Sequence, residues 1–446
     1  MIEICYHGIT KRIEADERKS ILELVMENFE CSFSPCATSI SGQGNCGRCK
    51  VRVSDGNYTK TILSCHTKAE DGIHVEVDFL ENVGKILTNV VNDGEENLPQ
   101  SAIAIDLGST TIVAQYNQKT VTCMNPQRKF GSDVVSRMTA SIDGKRRELS
   151  SITIDALHNL IQQVDQEHTT NQVILAANTV MNHLLRGYSC EKLGKYPFEP
   201  VSLAGEAVWL GEYQIYTIPG ISAFVGGDLM SGLFHIESHF QDSCYLLLDI
   251  GTNGEVILKK EDRFLGISTA AGPVFEGNFT AQMPGTDMIA LIARMRRHGI
   301  LDDSGLLGKN WFEEGYRIAP NVVMTQKNIR EIQMGKAAIF GGIQELLKVS
   351  NTSYSQIEHV YLAGGFGYYL NPEDAFTVGL LPEEFRGKII SAGNTSLLGA
   401  VEMSQMDFTK ACEKIQKIQK CSSALSLAQM EHFGETYFQA INFPKA

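Results

Sequence analysis

Long apolar runs are missing from this sequence, and no window approaches about 18 uninterrupted apolar residues, the length that a membrane-spanning helix needs. The first residues, MIEICYHGITKRIEAD, also lack the apolar stretch that follows the charges of a secretion signal. We therefore expect neither export nor membrane insertion, and we expect a cytoplasmic protein.

Basic residues are scarce relative to acidic ones. Lys and Arg number 39 against 52 Asp and Glu, and the formal net charge is -13. Non-specific binding to nucleic acid requires a basic face that neutralises phosphates, so we expect no such partner. Proline is scarce too, with 12 residues in 446, while 43% of residues are hydrophobic, as is typical of packed folds. A chain of this length predicts several domains.

Cysteine is distributed unevenly, because six of the 11 cysteines fall within the first 65 residues. Without a secretion signal, this clustering favours metal ligation over disulfides. Four thiolates at this spacing can hold a 2Fe-2S cluster, a 4Fe-4S cluster or a structural zinc ion. The glycine-rich loop between them favours 2Fe-2S, because backbone amides can then donate to cluster sulfides. The predicted ligands are Cys36, Cys46, Cys49 and Cys65.

Strand and helix patterns divide the chain into two parts. IEICY and IHVEVDF alternate apolar and polar residues as half-buried strands do, and Ser20 with Glu23 forms a capping box before a helix. They predict a small α+β unit of β-grasp size over residues 1–82, followed by a polar linker over 83–100. The apolar runs SAIAIDLGS and CYLLLDIGTNG alternate with helical patterns, which predicts an α/β domain of two similar halves over 101–446.

Three glycine-containing segments in the second part predict a nucleotide site. AIDLGSTTIVAQY and YLLLDIGTNGEVIL each end a strand in Asp-x-Gly, so that backbone amides and hydroxyls of two hairpins can wrap phosphates while Asp106 and Asp249 position hydrated Mg²⁺. HVYLAGGFGYYLNP predicts a strand that ends in Gly364, Gly365 and Gly367, where missing side chains would make room for adenine or ribose. The predicted nucleotide contacts are Gly108, Ser109, Thr110, Thr111, Gly251, Thr252, Asn253, Gly254, Gly364, Gly365, Phe366 and Gly367.

Two further carboxylates are candidates for orienting or deprotonating the attacking water molecule. Asp228 in GGDLMSG can orient an attacking water molecule, and Glu255 just beyond the second hairpin can assist as a base. The alternatives are a helix N-cap for Asp228 and an exposed strand residue for Glu255. With Asp106 and Asp249, they complete the predicted catalytic set.

These segments resemble a known family. PCATSISGQGNCGRCKVRVSDG, with the later SCHT, resembles the 2Fe-2S domain at the front of reductive activators of corrinoid proteins. The three glycine segments resemble the phosphate 1, phosphate 2 and adenosine motifs of the acetate kinase, sugar kinase, Hsp70 and actin superfamily. Further segments, among them ANTVMNHLLRG, TQKNIREIQMGKAAI and GNTSLLGA, extend the resemblance through residues 101–405.

The resemblance implies a β-grasp ferredoxin-like domain followed by an actin-like ATPase domain, with a 2Fe-2S cluster, ATP and Mg²⁺ as cofactors. It implies an anaerobic enzyme that couples ATP hydrolysis to reduction of cob(II)alamin to cob(I)alamin in a corrinoid protein, with an upstream electron donor. A homodimer is left open. The alternatives are donation to another low-potential metalloprotein, a nucleotide-gated redox sensor, and a small-molecule kinase with an appended ferredoxin.

The sequence departs from the family pattern at two places. Nine residues separate Cys36 from Cys46 where the family usually has five, so Cys31 is an alternative ligand to Cys36. The short linker also leaves no space for the middle domain that larger members carry between their ferredoxin and ATPase parts. We therefore expect a short member of the family that lacks this domain.

Overall fold

A computed structural model describes residues 1–6, 9–29, 49–55, 58–77, 98–251, 254–269, 271–275, 285–319 and 322–445. Within these ranges the chain forms a small N-terminal sheet, two six-stranded sheets and a two-stranded ribbon. The predicted boundary near residue 82, most of the linker, Cys31, Cys36 and Cys46 lie outside the described residues.

The N-terminal unit is a five-stranded mixed sheet in the order β2-β1-β5-β3-β4, with one helix packed on it. Strands β1 and β5 are parallel, and the other neighbours are antiparallel. The predicted capping box of Ser20 and Glu23 starts α1, and Ile2, Ile4 and Tyr6 form the predicted buried face of β1. The elements are β1 Ile2–Tyr6, β2 Ile9–Ile13, α1 Ile21–Asn28, β3 Lys50–Ser54, β4 Thr59–Leu63 and β5 His74–Val77.

The first six-stranded sheet has the order β10-β11-β9-β6-β7-β8. Strand β6 is almost wholly buried because its residues are apolar on both faces, as the sequence predicts. The elements are β6 Ile103–Leu107, β7 Thr111–Tyr116, β8 Lys119–Met124, α2 Val134–Ala140, α3 Arg146–Val164, β9 Gln172–Ala177, α4 Thr179–Leu185, β10 Glu206–Leu210, β11 Tyr213–Thr217 and α5 Gly227–His239.

The second six-stranded sheet has the order β18-β17-β12-β13-β14-β19. Its elements and the ribbon are β12 Cys244–Ile250, β13 Gly254–Lys260, β14 Arg263–Thr269, α6 Gly285–Arg297, β15 Tyr316–Ala319, β16 Val322–Met324, α7 Gln326–Val349, β17 His359–Ala363, α8 Gly364–Tyr369, α9 Pro372–Val378, β18 Ile389–Gly393, α10 Thr395–Gln405, α11 Phe408–Lys420, β19 Ser422–Leu425 and α12 Phe433–Ile441.

Five strands of each large sheet repeat one topology, and the sixth strands differ, because β10 pairs with β11 whereas β19 pairs with β14. Each sheet begins with a three-stranded antiparallel meander, β6-β7-β8 or β12-β13-β14, and then adds two parallel strands beside the first strand of that meander. The prediction of two similar halves is therefore confirmed for the described residues. The first strands of the two meanders, β6 and β12, carry Asp106 and Asp249 at equivalent positions, one residue before the strand end.

Helices α5 and α10 pack against each other, and α10 also contacts the segment where the second part of the chain begins. Ser231 Oγ donates to Ser396 O at 2.6 Å, and a Cβ at Gly399 would collide with Ser231, so small residues bring the two helices close. At the other end of α10, Ser101 N donates to Ser404 O at 2.8 Å and Gln405 Nε2 donates to Leu98 O at 3.2 Å.

Candidate functional site

Asp106 lies one residue before the end of β6, and its carboxylate is held by residues at the start of α10. Asn394 Nδ2 donates to Asp106 Oδ2 at 3.0 Å, and Ser396 Oγ donates to Asp106 Oδ1 at 2.8 Å. The following turn is fixed by Asn125, whose Nδ2 donates to Gly108 O at 2.7 Å. Both oxygens of the Asp106 carboxylate therefore have a neutral donor and a defined orientation.

Asp249 occupies the equivalent position of the second meander but has different neighbours. Its cross-strand partner is Glu255 on β13, and Ser268 on β14 donates to Glu255 Oε1 at 3.2 Å. Gly364 directly follows β17, the parallel neighbour of β12. It has φ +72, and a Cβ there would lie 2.7 Å from Asp249 Oδ1. Only glycine fits this position, because the conformation disfavours side chains and the carboxylate fills the space.

Asp228 lies in the first turn of α5, two residues after the N-cap Gly226. Its Oδ1 accepts from Leu229 N at 2.8 Å. The N-cap alternative for Asp228 is wrong, because the cap position belongs to Gly226. The carboxylate nevertheless lies where the helix dipole favours negative charge.

The four predicted catalytic carboxylates influence one another across the two sheets. Burial, and then the charges of Asp249 and Asp106, raise the pKa of Asp228 to about 7. Burial and the charge of Asp106 raise the pKa of Asp249 to about 6. The pKa of Glu255 is well above its usual range, because the side chain is buried and Asp249 and Asp228 repel its charge.

Burial also raises the pKa of Asp106, although the Asn394 and Ser396 donors act in the opposite direction. The exposed-strand alternative for Glu255 is wrong, since this side chain is only partly accessible. A cleft with this much like charge favours a divalent cation, and carboxylate oxygens are ligands that Mg²⁺ accepts. Asp106 and Asp249 thus fit the predicted role of orienting a hydrated cation.

The predicted nucleotide contacts lie around these carboxylates where they are described. Gly108, Ser109 and Thr110 form the β6–β7 turn, Thr111 begins β7, Gly251 follows β12 and Gly254 begins β13. Thr252 and Asn253 lie outside the described residues. The third segment differs from its prediction, because β17 ends at Ala363 and Gly364, Gly365, Phe366 and Gly367 form the start of α8.

Two of the four predicted cluster ligands are described, and they lie together. Cys49 and Cys65 are both buried, and their Sγ atoms are 3.2 Å apart. This distance exceeds the 2.05 Å or so of a disulfide bond, and it is near the separation of two thiolates on one metal ion, which is about 3.8 Å for metal–sulfur bonds of about 2.3 Å. Two buried thiols at this distance fit shared metal ligation.

Three residues of the cleft were not predicted as site residues. Asn394 and Ser396 belong to the segment GNTSLLGA, which enters the resemblance without a role, and Asn125 belongs to no predicted motif. A signal for Asn394 exists, because an Asn before a helical pattern is a typical N-cap, and its Oδ1 accepts from Leu397 N at 3.1 Å. Its second task, donating to Asp106, depends on a contact across 288 residues.

Comparison with known proteins gives two matching family models from one family. The model described as the RACo middle region matches residues 101–241, and the C-terminal domain of RACo, described as the ASKHA domain, matches residues 243–282 and 280–446. The chain is similar to a solved structure titled reductive activator for corrinoid, iron-sulfur protein. The TM-score is 0.69 at 22% identity, covering 100% of this chain and 99% of the other.

Two curated relatives are also similar. The corrinoid activation enzyme RamQ of Eubacterium limosum is 25% identical over 454 residues, which covers 82% of this chain and 76% of the relative. A Co(II) methylated amine-specific corrinoid protein reductase of Methanosarcina barkeri is 25% identical over 285 residues. That match covers 53% of this chain and 52% of the relative, so it spans about half of the second protein.

The expectation that the chain lacks the middle domain is wrong, because residues 101–241 match the middle region. These residues form the first six-stranded sheet and α5, which the sequence analysis assigned to the ATPase domain. The middle region therefore includes the sheet that carries Asp106 and does not lie in the linker.

None of the helices in the described ranges has the length and apolar character to cross a membrane. The C-terminal match and the solved structure agree with the topology of two repeated sheets, so the predicted actin-like fold is confirmed. Since models of two consecutive regions of one family together span residues 101–241 and 243–446, the chain belongs to the RACo family.

Proposed function

We propose that this chain is an ATP-dependent reductive activator that reduces cob(II)alamin to cob(I)alamin in a corrinoid protein. The observation that carries the proposal is the presence in one chain of a buried thiol pair and a carboxylate-lined cleft between two repeated sheets. The first suits an electron-transfer centre, and the second suits a nucleotide with its metal ion. The two similar curated relatives are named for activating or reducing corrinoid proteins, which supports the same acceptor.

In this proposal Cys49 and Cys65 bind the cluster together with Cys46 and either Cys36 or Cys31. The mixed five-stranded sheet with one helix supports a ferredoxin-like fold for this unit. A bound 2Fe-2S cluster would supply one low-potential electron at a time. The protein's own contribution is to bury the thiols between β3, β4 and the helix, which limits solvent access to the centre.

In the cleft, Asp106 and Asp249 would hold the hydrated Mg²⁺ of Mg-ATP, and backbone amides of the two turns would bind the phosphates. Asp228 then accepts a proton from the attacking water, with Glu255 as a second acceptor. A base is most effective when its pKa lies near the working pH, and the pKa of about 7 at Asp228 in the cation-free cleft satisfies this condition. A bound cation would favour the ionised form of Asp228, which is the form that can accept the proton.

Hydrolysis is needed because the electron transfer is uphill. Plant-type clusters have potentials near about -400 mV. The resemblance to the activator family implies an acceptor couple lower than that. Every 59 mV or so of unfavourable one-electron transfer costs a factor of ten in the equilibrium constant, or about 1.4 kcal/mol. Closure of the two sheets on Mg-ATP can offset a gap of this kind if the closed form binds the partner with an altered cobalt environment.

The proposal is tested anaerobically with the reduced holoprotein and a corrinoid protein in the cob(II)alamin state. The absorption band of cob(I)alamin is followed with and without Mg-ATP. We expect the band only when Mg-ATP is present. Failure with several corrinoid partners, although iron and nucleotide are bound, would direct the proposal to another low-potential metalloprotein. Negligible hydrolysis even with a reduced partner would favour a nucleotide-gated sensor.

Two variants separate the two modules. Cys65→Ser should abolish cluster absorbance and leave ATP binding intact, whereas Asp249→Asn should preserve the absorbance and weaken Mg-ATP binding. Cys421→Ser is the matched control, because Cys421 lies in the second part of the chain and is not buried. Loss of both properties in either folded variant would contradict the division into two modules. Transfer of phosphate to a small acceptor would instead favour the kinase alternative.

A further inference from the structure

A second group of side chains able to bind a metal lies on helices α5 and α10, and it includes none of the cysteines and none of the four predicted catalytic carboxylates. His235 and His239 are four residues apart on α5 and therefore share one face of that helix. Glu402 lies opposite them on α10. His239 Nε2 is 2.6 Å from Glu402 Oε1, and His235 Nδ1 contacts the same oxygen. The three ligand atoms lie within 4.8 Å of one another.

The second oxygen of Glu402 indicates that this group needs a further partner. Glu402 Oε2 is buried and has no hydrogen-bond partner among the residues that the structure describes. Leaving a buried carboxylate oxygen unsatisfied is unfavourable, and such atoms are rare in folded proteins. A cation bound between the carboxylate and the two imidazoles would satisfy it.

The surroundings also favour a cation. His239 is the last residue of α5 and Glu402 lies in the last turn of α10, so the negative ends of two helix dipoles point at the group. The ammonium of Lys414 is near enough for its charge to interact with Glu402, but its hydrogen bond goes to Ser238 Oγ at 2.6 Å and it lies over the Phe234 ring.

Accessibility differs among the three ligands. The side chains of His235 and Glu402 are 14% and 15% exposed, whereas His239 is 29% exposed. The group is thus closed on one side and open to solvent at His239. Three protein ligands with one open position are typical of zinc sites in which water completes the tetrahedron.

We propose that His235, His239 and Glu402 form a zinc-binding site that joins the C-terminal ends of α5 and α10. Two imidazole nitrogens and one carboxylate oxygen suit Zn²⁺, whereas Mg²⁺ and Ca²⁺ prefer oxygen ligands alone. This site is separate from the corrinoid activation proposed above and does not depend on it.

Joining these helices has a consequence for the cleft. Asp228 is in the first turn of α5, and Ser396, which donates to Asp106, is in the first turn of α10. At 1.5 Å per residue, His235 lies about 10 Å along the helix from Asp228. Zinc would therefore fix the relative position of two helices whose opposite ends carry the carboxylate and the donor, without contacting the reacting groups.

The test uses the full-length protein with its iron centre intact. It is titrated with ZnCl₂ by calorimetry, and zinc per chain is measured by elemental analysis after desalting. We expect one zinc per chain with unchanged cluster absorbance. His239→Gln and Glu402→Gln should each weaken zinc binding at least about tenfold, since each removes one of three ligands. Zinc should raise the unfolding temperature of the wild type and not that of Glu402→Gln.

His298→Gln is the matched control, because His298 is an exposed histidine that directly follows a helix, and its zinc affinity should equal that of the wild type. Equal zinc affinity of Glu402→Gln and the wild type would mean that the histidine pair alone binds, and would overturn the site. Absence of stoichiometric zinc, or equal losses in His298→Gln and His239→Gln, would overturn it too. His239 is the more exposed histidine, so its variant should fold even if His235→Gln does not.

Discussion

The two leading strands of the repeated sheets carry the same aspartate in different surroundings. Asp106 pairs across the hairpin with the apolar Val113 and receives hydrogen bonds from Asn394 and Ser396. Asp249 pairs with another carboxylate, Glu255, and has Gly364 against its side chain. One half therefore holds its carboxylate with neutral donors, and the other places its carboxylate beside a second carboxyl group and within range of the negative charge of Asp106.

This difference indicates that the equivalent aspartates of the two halves have different roles, which we call the division of labour. A carboxylate fixed by neutral donors keeps its orientation whether or not a ligand is present. A carboxylate beside like charge gains most when a cation enters, because the cation relieves the repulsion. We therefore expect the first half to provide orientation and the second half to provide most of the dependence on Mg²⁺.

The largest expected effects come from replacing Asp249 or Asp106 with asparagine, and the two variants should differ in their unfolding temperatures. Asp249→Asn should lower ATP hydrolysis about 100-fold or more, as loss of a transition-state electrostatic group commonly does, and should raise the unfolding temperature, because it removes repulsion. Asp106→Asn should lower both ATP hydrolysis and the unfolding temperature, because an amide has one acceptor oxygen and cannot accept from Asn394 and Ser396 as the two carboxylate oxygens do. Hydrolysis assays and thermal unfolding measure both quantities. Asp262→Asn, at an exposed turn, is the control, and a lower unfolding temperature in Asp249→Asn would contradict the comparison.

A smaller effect is expected from filling the space beside Asp249. Gly364→Ala adds a Cβ in contact with the carboxylate at a positive φ, and we expect it to destabilise the protein by about 2 kcal/mol and weaken Mg-ATP binding. Gly387→Ala is the matched control, since its φ is +80 and nothing lies within 4 Å of the added Cβ. Its cost should be about 1 kcal/mol with unchanged binding. Equal effects of the two variants on binding would exclude a role for the contact.

The pH dependence of stability should come mainly from Asp228, on α5, and Asp249, on β12. The pKa values of about 7 for Asp228 and about 6 for Asp249 exceed the ordinary 3.8. The folded protein therefore binds more protons than the unfolded chain between about pH 4 and 7, and its free energy of unfolding falls as pH rises through this window. Each group contributes at most about 1.4 kcal/mol per pH unit.

Urea unfolding of the Mg²⁺-free protein at pH 5, 6 and 7 measures this slope. Asp249→Asn should flatten the slope, whereas Asp262→Asn should leave it unchanged. A slope of the opposite sign in the wild type, with stability increasing from pH 5 to 7, would show that other groups dominate the linkage.

The smallest expected effect comes from removing one hydrogen bond to Asp106. Ser396→Ala removes one donor to Asp106 and should cost about 1 kcal/mol of stability and a few-fold in Mg-ATP affinity. Ser391→Ala, at an exposed position on β18, is the matched control and should change neither property. If Ser396→Ala reduced hydrolysis as strongly as Asp249→Asn, the proposed division of labour would fail.

Local pattern predicts much of the fold and part of the site. The capping box at Ser20, the buried strands β6 and β12 and the helix pattern of α7 all follow from residues close in sequence, and the structure confirms them. Asp106 and Asp249 also carry a local signal, because each precedes a glycine at a strand end.

What the sequence could not predict depends on contacts between distant segments. The donors to Asp106 come from the start of α10, and the raised pKa of Asp228 depends on charges from both sheets. Composition also gave no sign of the boundary between the RACo middle region, which ends at residue 241, and the C-terminal domain, which begins at residue 243, because no polar linker separates them.

The position of α10 has one more consequence. Its first turn contacts Asp106, and its last residues bind Leu98 and Ser101, the first described residues after the gap that follows the N-terminal unit. Its 11 residues span about 16 Å, and a helix of this length tilts as a rigid rod. If the cleft binds a nucleotide as proposed, α10 would act as a lever arm, through which a small rotation at Asp106 moves the contacts to Leu98 and Ser101.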